Sequence, residues 1–205
     1  MKNTISKKAI IISLFASFCC AGCFIRIPVP GGIPIVIQDM LCMLSGLILG
    51  PIYGSLSVLV FLLLGGLGLP VFSGGGGFDK IFNGPTGGFL IGYFVAAFTG
   101  GLVVQIFVKD ERKILTNTDD STEISEPEKI TVILNWIFIT LAAILATVTV
   151  FALGILGFHR IKPDLEMSRV YGYVLIPFIP GNIIKILIMI PLSKKIRPFI
   201  KGYLS

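Results

Sequence analysis

Residues 130–158 read ITVILNWIFITLAAILATVTVFALGILGF, with no Asp, Glu, Lys or Arg anywhere in the run. A helix needs about 20 mostly apolar residues to cross the hydrocarbon of a bilayer. This stretch exceeds that and leaves length for tilt. Working outward, five more segments read the same way: residues 9–25, 33–50, 52–72, 84–108 and 170–192. The second contains Gln38 and Asp39, the sixth contains Lys185, and the others carry no charge. Within lipid only helices and closed barrels satisfy every backbone group. The runs are far too long for barrel strands. The expected fold is therefore an all-α integral membrane protein, a bundle of six transmembrane helices forming one membrane domain over residues 1–205.

The composition agrees. Charged residues make up 14% of the 205 and hydrophobic ones 54%, with mean hydropathy +0.93, whereas soluble chains carry about 25% charged residues. There is too little charge to cover a surface in water, which excludes soluble enzymes, nucleic-acid binders and secreted disulfide scaffolds. The net charge of +6 belongs to the segment ends. With the N-terminus inside, the inner segments hold Lys2, Lys7, Lys8, Lys109, Arg112, Lys113, Lys129, Lys194, Lys195, Arg197 and Lys201. The outer ones hold Arg26, Lys80, Arg160, Lys162 and Arg169. The positive-inside rule then places both termini in the cytoplasm. Cys19, Cys20, Cys23 and Cys42 lack metal-ligand spacing and read as small packing residues. The order Cys20-Ala21-Gly22-Cys23 also resembles a lipoprotein cleavage box, but five further spans follow it, and the segment is kept as the first helix. Residues 109–129 are the one long polar stretch. They read as a flexible cytoplasmic loop between the fourth and fifth helices, with an acidic docking segment as the alternative.

The informative residues lie toward the outer side. The loop at 24–34 alternates Pro28, Pro30 and Pro34 with apolar residues, which favours extended backbone. The next outer loop contains Gly74, Gly75, Gly76 and Gly77 between Phe72 and Phe78. Such a loop either closes over a ligand or merely connects. Ionisable groups inside a membrane are expensive and default to function. Lys185 calls for an anion, either a ligand carboxylate or a protein group, or else snorkels to the interface. Asn182 lies three residues earlier, on the same helix face, and its amide both donates and accepts hydrogen bonds. Pro177, Pro180 and Gly181 predict a break in this span that frees backbone toward a cavity. Asp39 is expected either to form an ion pair with Lys185 or Arg26 or to touch the ligand. His159 is expected in an outer loop, solvated. On the first helix Ala9, Ser13 and Ser17 form a stripe of small residues that lets another helix approach closely, inside the chain or outside it.

Five segments carry a family resemblance: FIRIPVP at 24–30, GLILGP at 46–51, LLGGLGLPVFSGG at 63–75, GPTGGFLIGY at 84–93 and PFIPGNIIK at 177–185. In order and over nearly the whole chain they resemble BioY, the substrate-binding S-component of energy-coupling factor (ECF) biotin transporters. The resemblance implies an S-component-type bundle with no enzymatic activity and no cofactor, in a bacterial or archaeal plasma membrane. Such a subunit captures biotin from outside and delivers it with a transmembrane coupling protein and two ATPases. It implies a ligand site built from Lys185, Asn182, Thr86, Asn83, Gly84, Pro85, Gly87, Gly88, Gln38, Asp39, Arg26 and Phe72, with Lys185 meeting the valerate carboxylate and Asn182 the ureido head. It also implies a coupling-protein surface at Ala9, Ser13 and Ser17. The family's last motif is Gly-Asp-x-x-Lys, whereas Asn182 stands at the Asp position here, and Asp39 is a candidate for supplying the missing negative charge. The alternative function is a stand-alone or ion-coupled carrier of biotin or another small carboxylate. An intramembrane enzyme would need a nucleophile–base pair or metal cluster, which one His does not offer.

Overall fold

The computed structural model describes residues 2–27, 35–109 and 126–204. It is almost wholly helical: α1 is Lys2–Ala21, α2 Gln38–Leu49, α3 Pro51–Gly66, α4 Phe78–Phe82, α5 Gly87–Phe107, α6 Glu126–Ile161, α7 Met167–Val174 and α8 Ile179–Leu204. Between α1 and α2 the chain forms a two-stranded antiparallel ribbon, β1 Arg26–Ile27 and β2 Ile35–Val36, with Arg26 opposite Val36. This matches the extended backbone expected around the Pro-rich loop, whose residues 28–34 lie outside the described residues. So do residues 110–125 of the expected polar loop. The loop's last four positions, Glu126 to Lys129, are already helical in α6.

Four stretches are long and apolar enough to cross a membrane: Lys7–Phe24, Gly87–Phe107, Glu128–Ile161 and Met167–Tyr203. The other two expected spans are shorter than anticipated. With 12 residues, α2 is about 18 Å long at helical rise, well under the ~30 Å hydrocarbon core. Every α2 residue except Leu41 is buried in protein. A corner shortens it. Gly50 takes φ +84, a conformation that other residues adopt only with strain, and Pro51 starts α3 at a position where no amide donor is needed.

Around α2 pack α1, α3, α5, α6 and α8. The helices approach closely where small residues meet. A Cβ on Gly88 would fall 2.8 Å from the Cα of Gly157, so α5 and α6 touch backbone to backbone there. The last span is broken, as Pro177 and Pro180 foretell. α7 ends at Val174, a 3-10 turn covers Ile176–Phe178, and α8 begins with Pro180 in its first turn. His159 is a correction to the sequence reading. It lies in the last turn of α6, half-buried, with Nδ1 enclosed and without a hydrogen-bond partner among the described residues, rather than in a solvated loop.

Candidate functional site

The two intramembrane charges find each other. Lys185 on α8 and Asp39 in the first turn of α2 are each 6% exposed. The Lys185 Nζ donates to both Asp39 carboxylate oxygens at 2.8 Å and to the carbonyl of Val36 at 2.7 Å. Asp39 Oδ1 also accepts the Met40 amide at 2.7 Å. The carboxylate thus sits at a helix N-terminus, where the backbone dipole favours negative charge. An ammonium has three protons, and all three are engaged. Of the two partners expected for Asp39, Lys185 is the one it meets in this structure, and Lys185 also reaches β2 through the Val36 carbonyl.

Gln38, beside Asp39, is 1% exposed. Its Nε2 donates to Cys19 O at 2.9 Å and Val71 O at 2.7 Å. One side chain thereby ties the end of α1 and the glycine-rich loop to the start of α2, and its Oε1 keeps the capacity to accept. Asn182 donates to Phe178 O at 2.8 Å, which secures the broken turn, while its buried Oδ1 has no partner among the described residues.

A small enclosed cavity of about 30 Å³ opens on this group. Asp39, Gln38, Val36, Ser73, Thr86 and Tyr93 contribute to its lining, together with aromatic walls from Phe89, Phe151 and Phe178. Phe151 stands edge-on to both Phe89 and Phe178. Sequence reasoning missed Tyr93, Phe89 and Ser73 as cavity residues. The first two were legible: Thr86, Phe89, Leu90 and Tyr93 follow the i, i+3, i+4, i+7 spacing of one helix face. Beside the cavity, a more open hollow of about 360 Å³ is lined by Cys23, Phe24, Arg26, Pro70, Phe72, Gly74 and Gly75. The loop residue Ser73 faces the cavity while its neighbours Phe72 and Gly74 face the hollow.

The remaining expected site residues fall elsewhere. Arg26 and Phe72 line the hollow, with Phe72 buried edge-on against Phe61 at 5.4 Å between ring centres. Asn83 is exposed and donates to Asp79 Oδ1 at 2.7 Å. Pro85 is exposed, and Gly84 packs against the backbone of Lys80. Gly87 lies on the backbone of Ile81, and Gly88 serves the contact with α6. Asn182 lines an apolar groove of about 400 Å³ between α6 and α8, which shares Phe151 with the cavity. The four-glycine run has a defined shape: Phe72 and Gly75 exchange backbone bonds at 3.0 and 3.1 Å, and Gly77 N–H reaches Gly65 O at 2.7 Å. It is joined to the end of α3 in this structure.

On α1, Ala9, Ser13 and Ser17 all face outward, while Phe15, Ala16 and Cys19 are buried. The Ser17 hydroxyl donates to Ser13 O at 2.9 Å, which keeps its polarity within the helix. The stripe is therefore not used for packing inside the chain. All four cysteines are free. No group of three or more His, Cys, Asp or Glu that could hold a metal occurs among the described residues.

Comparison with known proteins places this architecture. The family model described as "BioY family" matches residues 1–202. The chain is 34% identical over 186 residues to the "Biotin transporter BioY" of Rhodobacter capsulatus, covering 87% of this chain and 86% of that one. It is 28% identical over 158 residues to the "Probable biotin transporter BioY" of Methanothermobacter thermautotrophicus, covering 76% and 88%. Among solved structures it is similar to a crystal structure described as the S-component for biotin from an ECF-type ABC transporter. The TM-score is 0.73 at 26% identity, over 96% of this chain and 94% of that one.

Proposed function

Because the chain belongs to the BioY family, we propose that it is the biotin-binding subunit of an ATP-driven ECF-type importer. It captures biotin at the outer side of the plasma membrane and delivers it inward with a transmembrane coupling protein and two ATPases. The observation that carries this reading is the near-complete structural likeness to a biotin S-component, with a small cavity at Asp39. Mainly apolar walls with a few polar anchors suit a small amphiphilic ligand. Six crossings follow when α2 with β2, and α3 with the loop after it, complete the two short spans. The basic residues at the segment ends then set both termini inside. On this reading the polar stretch 109–129 lies on the cytoplasmic side.

The ligand site centres on Gln38, Asp39, Thr86, Asn182 and Lys185, with Arg26 and Phe72 at its outer mouth. Asn83, Gly84, Pro85, Gly87 and Gly88 shape the turn that carries Thr86. A cavity of about 30 Å³ is far below the roughly 300–1,000 Å³ of small-molecule pockets. Binding therefore requires its walls to move, and the turn at Ser73 lies between cavity and hollow. The test is uptake of labelled biotin by cells expressing the chain with and without a coupling protein and its ATPases. Accumulation that needs an intact ATPase supports the proposal. Accumulation without the module, abolished by collapsing the proton gradient, would favour the ion-coupled carrier instead.

A further inference from the structure

We infer that Asp39 is the residue that meets the polar head of the ligand and that Lys185 acts through it, as a positioning cation. This rests on the biotin reading above. The argument begins with the cavity lining. Among the described residues Asp39 is the one charged group in it, and Lys185 is not part of it. The ammonium stands behind the carboxylate and spends its three protons on Asp39 Oδ1, Asp39 Oδ2 and Val36 O.

A ligand carboxylate entering this cavity would face Asp39 first. Two like charges brought together under low dielectric repel strongly. A group rich in N–H donors meets the opposite situation. A carboxylate has roughly four acceptor sites, of which Lys185 takes two and Met40 one, leaving capacity on Oδ2. Gln38 has committed both amide protons and has only Oε1 to offer, again an acceptor. Ser73, Thr86 and Tyr93 line the same space, and each carries a hydroxyl that can donate to a carbonyl. Acceptors on one side and hydroxyl donors on the other fit a neutral urea: two N–H groups toward Asp39 and Gln38, and a carbonyl toward the hydroxyls. The acid end of the same ligand then points away from Asp39, toward the hollow that contains Arg26.

The test measures affinities of biotin, biotin methyl ester and a ureido N-methylated biotin for the purified wild type, Asp39→Asn, Lys185→Met and Lys185→Arg. The expected result has three parts. Asp39→Asn weakens biotin at least tenfold and weakens the N-methylated ligand much less, because that ligand has already lost a proton for Asp39. Esterification weakens wild type and Lys185→Met by the same factor, because the lysine does not touch the acid. Lys185→Arg recovers affinity lost in Lys185→Met, because it restores the cation behind Asp39. If esterification weakens wild type tenfold but leaves Lys185→Met unaffected, Lys185 is the partner of the acid and the inference is overturned while the biotin reading stands. Lys185→Arg is the fallback should Lys185→Met not fold, and the same esterification factor there as in wild type is then the supporting outcome. No biotin binding by folded wild type would overturn both.

Discussion

At the scale of single residues the chain invests most in one buried pair. Taking two charges out of water is costly, and their mutual attraction repays it only when geometry and additional hydrogen bonds are good. Both conditions hold here, with two 2.8 Å contacts and further bonds from Val36 and Met40. Removing one member leaves the other uncompensated, an effect of about 3–5 kcal/mol. We predict that Asp39→Asn and Lys185→Met each lower the melting temperature in detergent markedly. Replacing both together, as Asp39→Leu with Lys185→Met, should restore much of it. Equal losses in the single and double variants would show that the pair is not energetically coupled. The importance of both residues was legible from the sequence alone, since charge is rare within the apolar segments. Their mutual pairing stood there as one option among several. The third partner, the Val36 carbonyl, was not legible, because it depends on how β2 runs past α8 and a carbonyl has no sequence signature.

At the scale of elements, sequence and structure agree best where a local rule operates. The break before α8 follows from Pro177 and Pro180, and the extended ribbon follows from the Pro-rich loop. The short α2 was illegible for a different reason. Its residues are as apolar as those of a full span, and only tertiary burial explains why 12 residues suffice. The glycines of GPTGG, taken from the resemblance as ligand contacts, stand in the structure as packing surfaces for α4 and α6. Periodicity cannot separate those roles.

The exposed stripe on α1 is the element-scale feature with a functional consequence. Small residues at Ala9, Ser13 and Ser17 leave a shallow track on the outward face, which suits close helix contact in lipid. Filling it with Ser13→Trp and Ser17→Trp is expected to lower ATP-dependent uptake at least tenfold while leaving biotin affinity within about twofold. The contrast between a transport assay in vesicles and a binding assay in detergent reads this directly. Equal loss in both assays would place the stripe in folding, and not in the partner interface.

For the whole molecule, composition alone selects a membrane protein, and the arrangement of helices selects a transport subunit. Each long apolar helix keeps one side exposed, while Asp39, Gln38, Asn182 and Lys185 are among the polar side chains buried inside, as are Asn135, Ser193 and Arg197. A subunit of this kind binds without chemistry of its own, so its central property is an equilibrium. The most direct test is titration of labelled biotin into the purified chain in detergent, with no coupling protein or ATPase present. Saturable binding of one biotin per chain, competed by unlabelled biotin, is the predicted result. A folded, monodisperse protein that binds no biotin would contradict the account.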